Sequence, residues 1–115
     1  MINTETFREL ALSYPQVEEL PHFEKASFRI KNKIFATLTP EKNRACIKLS
    51  KNDQYAFCAF DETIVYPVNN KWGLHGWTLI DLKKVKVKIL KQALRASYNE
   101  VASKAFLKKS KKRKV

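Results

Sequence analysis

The sequence predicts an α+β fold, a two-layer sandwich in which an antiparallel sheet carries helices on one face. Three observations predict it. Apolar and polar residues alternate with period two in short segments between residues 28 and 49, the two ends of the chain carry i, i+3, i+4 apolar patterns, and the segments follow one another as local antiparallel units rather than as parallel βαβ crossovers. The expected element order is α-β-β-β-α-β-β-α. With 115 residues, of which 44% are hydrophobic and 11% aromatic, the chain is sized for one domain with one core. That domain is placed at residues 1–107 and is followed by a basic tail, 108–115, whose charge and lack of apolar anchors predict disorder when unbound.

Asn3 can cap the first helix, since its side chain can accept from the unpaired amides of the opening turn. Phe7, Leu10, Ala11 and Tyr14 then form an apolar stripe that Pro15 ends. Phe28 and Ile30 alternate with Arg29 and Lys31, Asn32-Lys33 supplies a tight reversal, and Ile34, Ala36 and Leu38 resume the alternation as the second arm of a hairpin. After a turn at residues 40–43, Ala45, Ile47 and Leu49 face one way while Arg44, Cys46 and Lys48 face the other. Ser50 with Asp53 resembles a capping box and opens a short central helix. Ile64 to Val68 contains Pro67 and so predicts an edge strand or a strand end, because proline gives the ladder no donor. Trp77 to Ile80 predicts a fifth strand. From about Lys86 a final helix sets Leu90, Ala93, Leu94, Ser97, Tyr98, Val101 and Ala105 on one stripe.

Charge is distributed unevenly. The chain holds 23 Lys and Arg against 11 Asp and Glu, a net +12. Residues 1–70 are balanced, nine basic against nine acidic, whereas the last 45 hold fourteen basic side chains and only Asp81 and Glu100 as acids. Lys84, Lys88, Lys91 and Arg95, spaced by four, three and four, are predicted to share one face of the closing helix. Lys108, Lys109, Lys111, Lys112, Arg113 and Lys114 add six charges in the tail, which any polyanion can neutralise with release of counterions. A second cluster comprises Lys71, Trp72 and His75 within Asn69 to Thr78, where indoles can stack on bases and glycines let the backbone approach a phosphate. The blander expectation for that segment is that Trp77 anchors the core and Trp72 covers its edge.

Other chemistries find little support. The two cysteines, Cys46 and Cys58, form neither a disulfide framework nor a C-x-x-C site, and His22 and His75 belong to no metal or nucleophile motif. There is no glycine-rich phosphate loop, G-x-S-x-G or H-E-x-x-H, and Glu18-Glu19 reads as a solvated pair. The expectation is a protein that is not an enzyme, with no cofactor and no metal. No apolar run approaches the ~18 residues of a membrane span, and no signal-peptide pattern opens the chain, so a cytoplasmic location without membrane association is expected.

Several of these segments carry a family likeness. Ala11-Leu12-Ser13-Tyr14-Pro15-Gln16-Val17-Glu18-Glu19, Pro21-His22-Phe23, Ser27-Phe28-Arg29-Ile30, Lys33-Ile34-Phe35-Ala36 and Gly76-Trp77-Thr78, in this order, resemble the MmcQ/YjbR-like family over most of the chain, excluding the basic tail. Gln16 stands where that family commonly has glycine after the proline, and Lys31-Asn32-Lys33 where a glycine often precedes the lysine. The resemblance implies a two-layer α+β fold of the YjbR-like, secretion-chaperone-like kind with a CyaY-like appearance, and a DNA-binding role.

The functional expectation is therefore a nucleic-acid-binding protein, favouring duplex DNA, that contacts phosphates with little base readout. Lys84, Lys88, Lys91, Arg95 and the tail supply charge, and Lys71, Trp72 and His75 form a secondary contact loop. Four to six neutralised phosphates correspond to a slope of log affinity on log salt of about −3.6 to −5.4. The competing expectation is a protein-interaction module that docks an acidic partner or pairs weakly with itself, for which an exposed apolar patch would speak.

Overall fold

The computed structural model describes the backbone of residues 2–113 and the side chains of residues 2–105. Its elements are α1 (Thr4–Leu12), β1 (Val17–His22), β2 (Lys25–Ile30), β3 (Lys33–Thr39), a single 3₁₀ turn (Pro40–Lys42), β4 (Arg44–Lys48), α2 (Lys51–Phe60), β5 (Val65–Pro67), α3 (Lys71–Leu74), β6 (Trp77–Asp81) and α4 (Val87–Arg113). The six strands form one antiparallel sheet in the order β1-β2-β3-β4-β6-β5. The α+β class and the helix-on-sheet layering stand as expected. The element count is larger than expected by one strand, β1, and one short helix, α3.

Local chemistry explains the boundaries. Asn3 Oδ1 accepts from Thr6 N at 2.8 Å and caps α1, and Ser50 Oγ accepts from Asp53 N at 3.1 Å and caps α2, each satisfying an amide that has no helical carbonyl to meet. The β2–β3 reversal has Lys31 and Asn32 at its centre, at φ 49° and 68°, with Ile30 and Lys33 paired across it. Two successive positive φ values match the right-handed twist of a two-residue hairpin, so the turn sits one residue earlier than Asn32-Lys33. Gln16 also has a positive φ, 63°. Both departures from the family's glycines thus fall in left-handed turns, which a side chain occupies at modest strain.

One feature of β3 breaks the alternation read from the sequence. Arg29 pairs with Ile34 and Phe28 with Ala36, which leaves Phe35 as the extra residue of a β-bulge. The bulge lets Phe35 and Ala36 both enter the core, each fully buried, and turns Ile34 to the opposite side of the sheet, where it had been expected beside Ala36 and Leu38. The carbonyl oxygen of Phe35 accepts from the buried hydroxyl of Ser97 on α4 at 2.8 Å.

The core lies between the sheet and the helices α1 and α4. Phe7 of α1 meets Phe28 edge-on with ring centroids 5.8 Å apart. Leu90, Ala93, Leu94 and Val101 of α4 pack on Ala36, Ile47 and their neighbours. Tyr14 stacks on Tyr98 at 4.7 Å, and the Tyr98 hydroxyl donates to Pro15 O at 2.9 Å, tying the end of α1 to α4. Arg8 holds Glu19 of β1 in a forked pair, with Nε at 3.0 Å from both carboxylate oxygens and a terminal nitrogen at 2.7 Å. Both termini of the core thus pull on the same face of the sheet, and the other face is left without a helical layer.

Candidate functional site

Two surfaces contain the candidate residues, one on each layer. On α4, Lys88, Lys91 and Arg95 are exposed and fall within an arc of about 60° at 100° per residue, centred away from the buried Leu90–Leu94–Ser97 stripe. Among the described residues the ion pairs are Arg8–Glu5, Arg8–Glu19 and Lys104–Glu100. Among the described residues the three cations of the arc have no carboxylate within ion-pair distance. Arg95 shares a shallow depression with Asp53 and Glu100, but Glu100 is already engaged by Lys104 at 2.7 Å.

Lys84 does not join them. The Asp81 carbonyl accepts from Lys84 N at 3.2 Å and from Val85 N at 3.0 Å, and its side chain accepts from Lys83 N at 2.9 Å. These bonds close a turn after β6, so α4 begins only at Val87 and helical spacing does not apply to Lys84. Its ammonium lies near Asp61 and helps hold that carboxyl below the usual carboxylate range, after the two hydrogen bonds from Thr63. The side chains of Lys108, Lys109, Lys111, Lys112 and Arg113, and all of Lys114, lie outside the described residues.

The second surface is the uncovered face of the sheet. Period-two alternation sends Thr37, Cys46 and Leu79 outward in register across β3, β4 and β6. Lys25 and His22 pair at the β1–β2 end, and α3 rises at the other side. A groove of about 610 Å³ runs over this face, lined by Lys25, Lys42, Arg44, Trp72, Trp77 and His22 above a floor that includes Ile34, Cys46 and Leu79. Among the described residues no carboxylate lines it. Asp81 is the register partner of Arg44, yet it makes no ion pair there and its Oδ1 serves the Lys83 amide.

α3 exists because Asn70 caps it, its Oδ1 accepting from Trp72 N at 2.9 Å. Both glycines of the chain hold this corner together. A Cβ on Gly73 would lie 2.0 Å from Val68 O, and one on Gly76, at φ 101°, 1.9 Å from Leu49 O, so only glycine permits these approaches. Gln54 Nε2 of α2 donates to Gly73 O at 2.9 Å and to Thr78 Oγ1 at 3.1 Å. Lys48 Nζ donates to the His75 carbonyl and lies 5.8 Å from the Trp77 ring centroid. Burial, followed by the nearby Lys104, lowers the Lys48 pKa.

This geometry separates the expected contact loop from the expected helix face. Lys71, Trp72 and His75 belong to α3 and its C-terminal cap, with the Trp72 and His75 rings 6.4 Å apart. Of these, Trp72 borders the groove on the open sheet face, while Lys88, Lys91 and Arg95 lie on the exposed side of the helical layer. Trp77 likewise points into the groove and is only partly buried, so it does not anchor the core. Cys46, on the groove floor, is a neutral thiol. Burial pushes it up to about 11, against the opposing fields of Lys25 and Arg44. Lys25, Lys42, Thr37 and Asn70 were missed as site residues, although the outward row Arg44-Cys46-Lys48 was the sequence signal for this face. Among the described residues no group of three or more His, Cys, Asp or Glu side chains converges as a metal cluster would require, and no helix is long and apolar enough to cross a membrane.

Comparison with known proteins gives a family and a fold. No curated protein is significantly similar to the chain. Among solved structures, the chain is similar to DR2400 of Deinococcus radiodurans, a protein with a DUF419 domain, at 20% identity and a TM-score of 0.80, covering 91% of this chain and 82% of that one. It is also similar to a protein from Pseudomonas syringae at 16% identity and a TM-score of 0.66, covering 87% of this chain and 99% of the other. At these identities the likeness shows a shared fold. The YjbR family model matches residues 12–100, which takes in every strand and the paired core of α4 on β3, and the chain belongs to the YjbR family.

Proposed function

We propose that the protein binds duplex nucleic acid, with DNA as the favoured form, through phosphate contacts made by Lys88, Lys91 and Arg95 of α4 and extended by the basic C-terminal segment. The observation that carries this reading is the exposed arc of three cations that form no ion pair among the described residues. From Lys88 to Arg95 the helix rises about 10 Å, while phosphates of one strand recur every ~3.4 Å along the duplex axis, so the arc can follow a short run of them. Nothing in the arc reads a base edge, and the binding is insensitive to sequence.

With Lys84 off the helix face, the folded domain offers three contacts, corresponding to a salt slope of about −2.7; the C-terminal cations add to it. The test is a salt titration of duplex binding by the intact chain and by a variant with Lys88→Glu, Lys91→Glu and Arg95→Glu. The variant should keep its thermal transition and flatten the slope by about 2.7. An unchanged slope would overturn the assignment of contacts to α4.

A protein-interaction role has one observation of its own. Tyr55, Phe60 and Leu74, on α2 and α3, are 80%, 69% and 74% exposed, more apolar surface than a helix pair needs to leave in water. Tyr55 and Leu74 line one depression, and a dimer in sedimentation equilibrium that Tyr55→Asp dissolves would favour self-association through it.

A further inference from the structure

The groove on the open sheet face takes no part in the phosphate contacts of α4, because the sheet itself lies between them. Its chemistry is nevertheless specific. The volume of about 610 Å³ falls in the range of ~300–1,000 Å³ typical of small-molecule sites. The floor is apolar, with Ile34 and Leu79, and the two indoles Trp72 and Trp77 stand on the α3 side. Lys25, Lys42 and Arg44 stand toward the other end, and none of them makes an ion pair among the described residues.

The two features are separated along one strand pair. Trp77 is in register with Lys48 and Arg44 with Asp81, four residues apart on β4, or about 13 Å at ~3.3 Å per residue. Side chains that lean into the groove shorten that gap. A ligand that joins a flat ring to an anionic group by a short spacer would reach both ends, stacking at one and forming charge-assisted hydrogen bonds at the other. A purely apolar ligand would leave three cations desolvated and unpaired, and a simple inorganic anion would leave the indoles unused.

We propose that this groove is a binding site for a small planar organic anion of the size of a nucleoside monophosphate, with its ring against Trp72 and Trp77 and its phosphate at Lys25, Lys42 and Arg44. The site is built by the fold. Asn70 caps α3, Gly73 and Gly76 permit its close seating, and Gln54 ties it to β6, so the Trp72 wall is set before any ligand arrives. Cys46 on the floor contributes a neutral, compact surface and no nucleophile near neutral pH.

The test exploits composition. The chain has two tryptophans, and both line the groove, so the two indole N–H signals in a ¹H–¹⁵N correlation spectrum report on this site alone. Adenosine monophosphate should shift both signals saturably. Adenosine, which lacks the charge, and ribose 5-phosphate, which lacks the base, should each bind at least ~10-fold more weakly, the equivalent of losing one charge-assisted contact or one stacked ring. Arg44→Ala should weaken adenosine monophosphate by a similar factor. Lys42→Ala, at an exposed turn, tests the same point where loss of Arg44 disturbs the sheet. Substituting Lys88, Lys91 and Arg95 by glutamate should leave this binding unchanged, which separates it from the duplex reading. The proposal is overturned if neither indole signal moves, if adenosine or ribose 5-phosphate matches the monophosphate, or if only a single-stranded oligonucleotide shifts the signals.

Discussion

Replacing Ser97 by alanine tests how α4 is seated on the sheet. The hydroxyl is fully buried and donates to Phe35 O at 2.8 Å, at the residue that the β3 bulge leaves without a cross-strand partner. Removing the donor leaves a buried carbonyl short of its partner, which costs about 1–3 kcal/mol. The space vacated by one hydroxyl is smaller than the ~30 Å³ share of a water molecule, so solvent does not restore the bond. At a cost of ~2 kcal/mol and a urea m-value of ~1.5 kcal/mol/M, the unfolding midpoint should fall by about 1.3 M with the slope unchanged. Urea titration followed by far-UV circular dichroism measures both quantities. A loss below ~0.5 kcal/mol at unchanged m would refute the reasoning, because it would mean that the bulge carbonyl finds another donor and that Ser97 does not pin the helix.

Two further outcomes follow from the groove's surroundings. Gly76→Ala places a Cβ 1.9 Å from Leu49 O at φ 101° and strains the bond from Leu49 N to Gly76 O, now 2.9 Å; a stability loss of at least ~3 kcal/mol is expected, read as a lowered thermal midpoint or failure to accumulate folded protein. Cys46 has a folded pKa raised by burial from 9.0 to about 11. A raised value means the unfolded chain releases the proton first, so the thiol's contribution is intact below pH 9 and is lost as pH rises toward 11, to the extent of roughly 2–3 kcal/mol. The stability difference between the native chain and Cys46→Ala, measured by urea titration from pH 8 to 11, should shift against the native chain over that window; a constant difference would show that the thiol is solvated.

The elements that were legible in the sequence are those whose signal is local. The Asn3 and Ser50 caps, the β4 alternation and the long stripe of α4 each rest on residues within a turn or two of one another. β1 was not legible because its run, Val17-Glu18-Glu19-Leu20-Pro21-His22, has two adjacent acids and a proline. It is an edge strand, held by Arg8 from α1 and by the Ser27 hydroxyl, which donates to Leu20 O at 2.7 Å. α3 is a single turn whose cap, Asn70, lies in a segment that also reads as loop. The bulge at Phe35 escaped because alternation predicts Ile34, Ala36 and Leu38 together, whereas Phe35 is buried in the core and meets Tyr98 edge-on, 5.8 Å away. For the site, the α4 cations were visible as a helical pattern with Lys84 wrongly included, since spacing cannot show where a helix starts. The groove was not visible because its lining is drawn from five strands, the turn after β3, the segment after β5 and α3, each contributing one to three residues.

The separation of the two basic surfaces follows from the pleat of β4. Ile47 faces inward and helps seat α4, while its neighbour Cys46 faces outward and floors the groove, so one strand supports both sites but gives each a different side chain. Substitutions confined to one surface share no partner with those on the other, and their effects should add. Coupling would need a path through the sheet, and the structure offers one candidate: Lys48 donates to the His75 carbonyl at the groove's α3 end and has its pKa lowered in part by Lys104 of α4. Filling the groove with an anion would act on Lys48 through Trp77, at 5.8 Å, and any response at α4 would then be felt near Lys104 and Glu100 rather than at Lys88 and Lys91. Lys88 and Lys91 therefore sit at the end of α4 that this path does not reach, and Arg95, which shares a depression with Glu100, lies between the two.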